Sequence, residues 1–591
     1  MVNESTIYRP DTEHTKSMDS TIERFYPSNG TTFLKSSPFI EIPITVRKNG
    51  FLVPNETTLS LTWEAQPEAD PTTANNFAIY ASSAGSHALI NRVTLHQGSN
   101  ELECVSDWNR LHANMKVLYE DPYQANGNGS ARDPALTAPA KEDYSTGNYN
   151  EDVLDESSKR GGIYPQCRTV GINLNLDANG NTQAIGGANP PGVTTEGTKK
   201  YSNKIKACLS LSALDLLGSS AQKLLPLSVA NDFRLRIHLE KDVYKCYHAL
   251  QPRVTAAGGT YPPTGKSPAM PETSGYRITD VSLNTKVISY DDEMWDKMLK
   301  SVKAKAVQGK GCCSNSGGAD GSNILKWNGV QMRTSNVNTT YDSYFQEIVP
   351  NSQWTNLQSA IVFPYLPLLS ANGDNLAECW GNGIYQAQFA VDGVQFPQLP
   401  VGEGDSNNPA TSLSQLVFSA DNCVRDSCRS GNGNSMIYSS MYPLPIDNTT
   451  AFDFSTTSVL DQRILPAGTS NCNEFVNLPP TKFPTNSQVN DFPMPPTSTT
   501  IGHGARTGRS SYFCAYGFNF TSVEDGKLVQ GVDTRGRQCN LQVRQSMNAT
   551  GLPSGQTAPG VSGNPAALVC MAVAVQYELD LNVGLLSVRL Q

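Results

Sequence analysis

The chain has 591 residues, of which 17% are charged, and a formal net charge of −9. That charged share is well below the ~25% of an average soluble domain, and a coiled coil would need far more Ala, Glu, Lys, Leu and Arg. No Lys/Arg block stands out, so binding nucleic acid chiefly through its phosphates is not expected.

Residues 1 to about 30 are polar and aperiodic and read as an N-terminal arm. Ile40, Ile42, Ile44 and Val46 then alternate with polar residues or Pro. A turn follows at Lys48-Asn49-Gly50, and Leu59, Leu61 and Trp63 resume the alternation. Period two with one apolar face marks half-buried strands. Leu89, Val93 and Leu95 suggest a third strand, closed at Gln97-Gly98-Ser99. The period then changes. Val105, Trp108, Leu111, Met115 and Leu118 line one face of an amphipathic helix, with Ser106 as its expected N-cap. The stretch from about 121 to 200 is rich in Gly, Asn, Asp and Pro. A bare loop of that length does not suit a compact domain, so it reads as a surface excursion with short elements of its own.

Strands resume at Ile205, Ala207, Leu209 and Leu211, followed by a short apolar helix around Leu214 to Leu225. Phe233, Leu235, Ile237 and Leu239 alternate with Arg234, Arg236, His238 and Glu240. A strand near Ile278 to Ile288 leads into a helix at Tyr290 to Val302, where Asp291 and Asp292 suit the positive end of the helix dipole. The Gly/Ser-rich segment 304–323 reads as a linker. The same grammar then returns. Tyr385, Ala387, Phe389 and Val391 end at the hairpin signal Asp392-Gly393, and Leu413 to Phe418 open a short helix. Tyr512, Cys514, Tyr516, Phe518 and Phe520 alternate, as do Cys539, Leu541 and Val543. A long closing strand places Val569, Met571, Val573, Val575, Tyr577, Leu579, Leu581 and Val583 on one face. The apolar run within it, near Ala566 to Val575, is shorter than the ~20 residues that cross a bilayer as a helix.

These elements predict an all-β chain of two large sandwiches. The expected division is an arm over 1–30, a first sandwich over 31–304 with its insertion at about 121–200, and a second sandwich over 305–591. The 13 cysteines are odd in number and form no CxxC pair, the N-terminus shows no signal-peptide pattern, and reduced thiols in a reducing compartment are expected. The eight Asn-x-Ser/Thr sequons carry little weight in so Asn- and Thr-rich a chain.

No catalytic signature emerges: GxSxG, HExxH and Walker A patterns are all absent. His238 falls on a polar strand face and is expected to be solvated, His112 is expected at the rim of its helix, and His503 lies in a Gly-flanked loop. Asp177-Ala178-Asn179-Gly180-Asn181 resembles part of a calcium loop but lacks the glycine and the terminal glutamate such a loop needs, so a plain turn is expected. Cys423 and Cys428 have no second ligand pair nearby, which argues against zinc. No catalytic, cofactor or metal residue is therefore assigned.

One likeness lies in the order of the words. LINRVTLHQGSNELE (Leu89 to Glu103) runs into VSDWNRLHANMKVL. ACLSLSALDLLGSSAQKLLPLSVANDFRLRIHLEKD (Ala207 to Asp242) then carries a strand, a short helix, Leu225-Pro226-Leu227 and an alternating strand, and YDDEMWDKML follows. This resembles the first roll of the double jelly-roll major capsid proteins of double-stranded DNA viruses, with a lean toward virophages, Polinton-like viruses and large eukaryotic DNA viruses. YQAQFAVDGVQFPQLP (Tyr385 to Pro400) and FCAYGFNFTSVEDGKLVQGVDTRGRQCNLQVR (Phe513 to Arg544) resemble elements of the second roll. The likeness covers most of the chain from about residue 33.

The resemblance implies two consecutive jelly rolls with short helices and long loops, and a structural, non-enzymatic role. It implies a homotrimer forming a pseudo-hexagonal capsomer that tiles an icosahedral shell. The implied partners are neighbouring capsomers, penton and minor capsid proteins, with an internal membrane left open and no sequence-specific nucleic-acid binding. The implied location is the virion, after synthesis and assembly inside the host cell. The low charge suits a surface covered by other copies of the chain. The alternative is a carbohydrate-binding or carbohydrate-active β-sandwich. It would want a signal peptide, an aromatic platform in the loops and, for hydrolysis, a carboxylate pair at catalytic spacing.

Overall fold

Alternating apolar residues fold this chain into antiparallel sheets that bury one face each. A computed structural model describes residues 18–45, 49–66, 77–82, 84–119, 133, 169–177, 195–202, 204–219, 224–226, 229–230, 232–250, 275–293, 295, 324–338, 345–348, 354–365, 376, 384–402, 415–416, 419–420, 423, 515–520, 522–524, 527–529, 531–545, 566–580 and 583–590. The first half holds β1 (Met18–Phe25), β2 (Thr32–Leu34), β3 (Ile40–Ile44), β4 (Gly50–Gln66), β5 (Phe77–Ala81), β6 (Ile90–Gln97), β7 (Asn100–Val105) and helix α1 (Trp108–Tyr119). It continues with β8 (Thr169–Asp177), β9 (Thr195–Ser202), β10 (Ile205–Ser210), β11 (Phe233–Leu239), the single turn α2 (Val243–Cys246), β12 (Tyr247–Leu250) and β13 (Gly275–Tyr290). A 3₁₀ turn at Gly85–Leu89 and a π turn at Asp215–Ser219 complete it. The second half holds β14 (Ile324–Asn338), β15 (Phe345–Ile348), β16 (Leu357–Tyr365), β17 (Ile384–Val391), β18 (Val394–Val401), β19 (Tyr516–Asn519), β20 (Ser522–Glu524), β21 (Lys527–Val529), β22 (Cys539–Gln545), β23 (Ala566–Asp580) and β24 (Leu585–Leu590).

The strand order decides the architecture. In the first half one sheet runs β1-β13-β4-β10 and the other β3-β11-β6-β7. Counting these eight strands along the chain, the sheets read first-eighth-third-sixth and second-seventh-fourth-fifth. In the second half the sheets run β14-β23-β16-β19 and β15-β22-β17-β18, which is the same permutation. Eight antiparallel strands wound this way in two packed sheets form a jelly roll, so the chain is two jelly rolls in succession.

Adjacent rows on one sheet show how the pattern specifies the register. Ile42, Leu235 and Leu95 lie side by side across β3, β11 and β6, and all three are fully buried. Burying each such side chain contributes ~1.5–3 kcal/mol. In the next row, on the opposite face, Arg236 Nε donates to Glu41 Oε2 at 2.6 Å. A slip of one residue would exchange these rows and bury the ion pair, so the register is strongly specified. The second roll closes with aromatic rings from its two sheets, Phe389 lying 5.9 Å from Phe518 and 5.0 Å from Phe520. Asp392 and Gly393 both take positive φ (49° and 80°), the two-residue hairpin turn that their sequence announces.

Several expectations change on contact with the structure. Within the segment read as an arm, Met18–Phe25 is β1, paired along its length with β13 from Met18↔Tyr290 to Phe25↔Leu283. Its apolar residues show no alternation, because Phe25 is buried while Ile22 is 76% exposed. The helix expected from Val105 begins at Trp108, and Val105 ends β7. Ser106 is not its cap: Leu111 N–H donates to the Asp107 carbonyl (2.9 Å), so the helix starts from Asp107. The residue before the helix is Asp107, with φ of 50°. The closing strand stops at Asp580. Gly584, at φ 72°, donates its N–H to the Asp580 carbonyl, and β24 folds back on β23, leaving Val583 in the turn. The excursion does carry elements of its own: β8 and β9 join β5 and β12 in a four-stranded sheet, β12-β5-β8-β9. The linker 304–323 lies outside the described residues, as does most of the Tyr290 to Val302 helix.

β23 is buried on both faces, not one. In the same sheet the helical residues Ser419, Ala420 and Cys423 approach Gly517 of β19, where a Cβ would sit 2.6 Å from Cys423 Sγ and 3.0 Å from Ala420 Cα.

Candidate assembly interface

The two rolls meet edge to edge. β7 ends one sheet of the first roll and β14 ends one sheet of the second. Side chains rather than a shared ladder join them. Ser106 N–H donates to Thr334 Oγ1 (3.1 Å), and the Thr334 hydroxyl donates to the Ser106 carbonyl (2.8 Å). Gln331 Nε2 donates to the Leu102 carbonyl (3.0 Å) and to the Tyr577 hydroxyl oxygen (3.1 Å). Asn336 Nδ2 donates to Asp107 Oδ2 (2.5 Å). Gln97 grips the closing hairpin: its Nε2 donates to the Gly584 carbonyl and its Oε1 accepts from Leu586 N–H, both at 2.6 Å. Helix α1 adds Arg110, stacked 3.7 Å above the Tyr365 ring, and Asn114, whose Nδ2 donates to the Leu376 carbonyl at 3.2 Å. Each such bond is worth only ~1 kcal/mol net, but leaving one partner of a buried pair unmet costs more, so the set fixes one relative placement of the rolls.

At the centre of this junction sits Glu103 of β7, 2% exposed. Its Oε1 accepts from Leu216 N–H and from the Tyr577 hydroxyl, each at 2.8 Å. Burial, and then the nearby Asp215 carboxylate, push the Glu103 carboxyl up to about 7. Burial likewise pushes the Tyr577 hydroxyl far above its ordinary range, which keeps it a donor. Gly329 of β14 makes room for this cluster, since a Cβ there would lie 1.8 Å from Asp215 Oδ2 and 2.5 Å from Tyr577 Cε2.

The residues singled out in the sequence fall elsewhere. His112 is not a rim residue. Its ring stacks 4.0 Å from His87, nearly parallel, and 4.4 Å from Trp108. Burial pushes it down to about 3, so it is neutral, and its Nε2 has no hydrogen-bond partner. His238 is half-buried beside Phe39 rather than solvated, and burial followed by Arg92 lowers its pKa. Asp292 Oδ1 accepts from Asn49 Nδ2, and Trp295 N–H donates to the Asp291 backbone carbonyl (2.9 Å), which places both residues at the helix start. Asp177 ends β8, while residues 178–181, Cys428 and His503 lie outside the described residues. Cys423 is buried, with Sγ 3.9 Å from the Ala360 carbonyl. Among the described residues no cluster of three or more His, Cys, Asp or Glu side chains is placed to hold a metal. Cys104, Cys208 and Cys246 are free thiols.

Ser86, His87 and Asp133 do gather three residue types known from hydrolytic triads, but wired differently. The Ser86 hydroxyl donates straight to Asp133 Oδ1 (2.7 Å) and accepts the Trp63 indole N–H (2.8 Å), while His87 Nδ1 accepts from Trp108 Nε1 (3.1 Å). No histidine stands between serine and aspartate, and Ser86 is fully buried. The group is a structural anchor. Asp133 also accepts the Ser86 backbone N–H at 2.7 Å. Asp133→Ala would strand both donors and is expected to cost ~2–4 kcal/mol in urea unfolding, with secondary structure retained.

Two edge strands remain bare. β18 is exposed along nearly its whole length, with Val394 59% and Leu399 79% exposed. β1 shows Ile22, and Tyr26 just beyond it is 62% exposed. An exposed, uncharged edge strand such as β18 is a template for association, whereas β1 carries Asp19, Glu23 and Arg24, charges that blunt an edge.

The architecture has counterparts among solved structures. The chain is similar to the Faustovirus major capsid protein (TM-score 0.45, 9% identity, covering 97% of this chain and 91% of that one). It is similar to a chain in the structure of the Sputnik virophage (TM-score 0.47, 8% identity, 98% and 90%) and to the mavirus major capsid protein (TM-score 0.42, 9% identity, 98% and 93%). No protein-family model and no curated protein matches the chain. The double jelly roll rests on strand order: two identical eight-strand permutations in one chain.

Proposed function

We propose that this chain is the major capsid protein of a double-stranded DNA virus, a structural protein without catalytic activity. Three copies form a pseudo-hexagonal capsomer, and capsomers tile an icosahedral shell together with penton and minor capsid proteins. The protein is made and assembled inside the host cell and resides in the virion. Within it, the first roll begins at β1, about residue 18, and runs to about 304, and the second occupies 305–591.

The observation that carries this reading is the pairing of two identically wound rolls through a buried polar junction, while equivalent edges stay bare. A protein built to act alone would cover such edges. Light scattering on purified protein is expected to give three times the 63.9 kDa chain mass, and negative-stain images to show six-lobed blocks. A monodisperse monomer at high concentration would overturn the proposal.

A further inference from the structure

Helix α1 is held by a pair of histidines that must both be neutral. His87, in the 3₁₀ turn Gly85–Leu89, and His112, one turn after Trp108 on α1, stack with ring centroids 4.0 Å apart and planes 5° from parallel. Trp108 closes the group, its ring 4.4 Å from His112 and its Nε1–H donating to His87 Nδ1 at 3.1 Å. A ring nitrogen accepts a hydrogen bond only while it carries no proton. Protonating His87 at Nδ1 would therefore set two N–H groups against each other. Protonating His112 would place a charge face to face with the neighbouring imidazole, on a ring whose Nε2 is buried without a hydrogen-bond partner. Burial alone holds His112 down to about 3. Both residues are half-buried rather than sealed, so a proton can reach them from water.

The charged and titratable groups on the surrounding elements are engaged elsewhere. Asp133 accepts both Ser86 donors, Lys245 pairs with Glu240, and Arg110 of α1 lies over Tyr365. Asp107 accepts from Asn336, while on β6 Arg92 pairs with Glu101 and His96 bonds Thr94. The Cys246 thiol of α2 is pushed up by burial and stays neutral. Lys206 and Cys208 of β10 alternate with its buried residues and lie on its outer face.

We infer that the His87–His112 stack is an acid-sensitive latch: neutral, it clamps α1 to the first roll, and protonated it releases the helix together with the two contacts that α1 makes to the second roll. Those contacts are Arg110 over the Tyr365 ring and Asn114 Nδ2 on the Leu376 carbonyl. The latch lies inside one chain, so it acts in a single copy and in an assembly alike. Its direction follows from linkage. With the helix in place His112 titrates at about 3, and with the helix released it returns to an ordinary 6.5. Between those values the released state binds the extra proton, so acid favours release, and above about 6.5 the hold is complete. Glu103 of β7 titrates in the opposite sense, so the latch is read on α1 itself.

Hydrogen exchange by mass spectrometry on the full chain at pH 8 and pH 5, each rate divided by the intrinsic rate at its own pH, reads the opening of each element. With 6.5 for the released ring and about 3 for the held one, the opening of α1 is expected to rise by up to about 30-fold from pH 8 to pH 5. Peptides from β11 and β23, which do not touch the stack, are expected to keep their protection. His112→Phe keeps a ring against His87 and Trp108 but takes no proton, so its α1 is expected to lose most of that rise. Should circular dichroism show that this variant does not fold, His112→Leu makes the same test with a smaller side chain. An α1 protected equally at both pH values would overturn the latch. So would a rise in the folded variant as large as that of the wild type.

Discussion

Gly329→Ala is expected to loosen the two rolls from each other. The new methyl group would lie 1.8 Å from Asp215 Oδ2 and 2.5 Å from Tyr577 Cε2, both inside any real contact distance. The carboxylate is the end of a side chain and can turn away. The tyrosine ring cannot easily follow, because Tyr577 is fully buried, is paired with Trp327 across β14 and β23, and holds Glu103 through its hydroxyl. Overpacking of this sort costs ~1–3 kcal/mol, and the strain falls on the junction rather than inside either sandwich. Calorimetry is therefore expected to show a lower first transition, and separate melting of the rolls where the wild type melts as one unit. Asp215→Ala in the same chain removes the nearer clash and should recover part of the loss. The two substitutions are then non-additive, as residues in contact are. Equal melting curves for wild type and Gly329→Ala would refute the close approach.

The sequence made the sheets legible but not the junction, and particular residues show why. Alternation placed Ile42, Leu235, Leu95, Leu541 and the inner face of β23, because one buried face imposes period two whatever surrounds the sheet. Asp392-Gly393 placed the β17–β18 hairpin for a local reason, the positive φ that both residues adopt. The double jelly roll was then readable from the order of such segments. Glu103 and Gln331 were not readable as junction residues, because a polar residue in a strand ordinarily marks the solvent face and here marks a contact with a distant part of the chain. Asp215 was lost for the same reason inside a short apolar helix. Gly329 carries the one local signal of the junction, a lone glycine inside a strand, which often marks close backbone approach. β1 offers no alternation to read, because Phe25 is buried while Ile22 faces outward among Asp19, Glu23 and Arg24.

Glu103 should make the stability of the protein depend on pH in a direction opposite to the usual carboxylate. Its folded-state value, pushed up to about 7 from an ordinary 4.5 by burial and then by Asp215, means that the folded protein holds this proton more tightly than the unfolded chain does. Between about pH 4.5 and 7 the folded state therefore carries more protons, and stability falls as pH rises. The contribution is intact below about 4.5, is lost across that window and stays lost above about 7. At 1.36 kcal/mol per unit the full effect is ~3 kcal/mol, shared with Asp215, while Arg333 opposes it. Glu103→Gln keeps an oxygen acceptor for Leu216 N–H and the Tyr577 hydroxyl but cannot ionise. In urea unfolding at pH 5, 6, 7 and 8, the difference between wild type and Glu103→Gln is expected to be near zero at pH 5 and to widen in favour of the variant by pH 8. Glu103→Leu removes the acceptor and leaves both donors buried without it, so it should be destabilised by ~2–4 kcal/mol at pH 5, and because leucine cannot ionise either, that deficit should shrink toward pH 8 by the amount that Glu103→Gln gains. The contrast separates the charge from the hydrogen bonds, since both variants should show the same pH-dependent gain over wild type while only the leucine variant carries a constant deficit beneath it. Parallel profiles for wild type and Glu103→Gln would mean that Glu103 does not hold its proton at the junction.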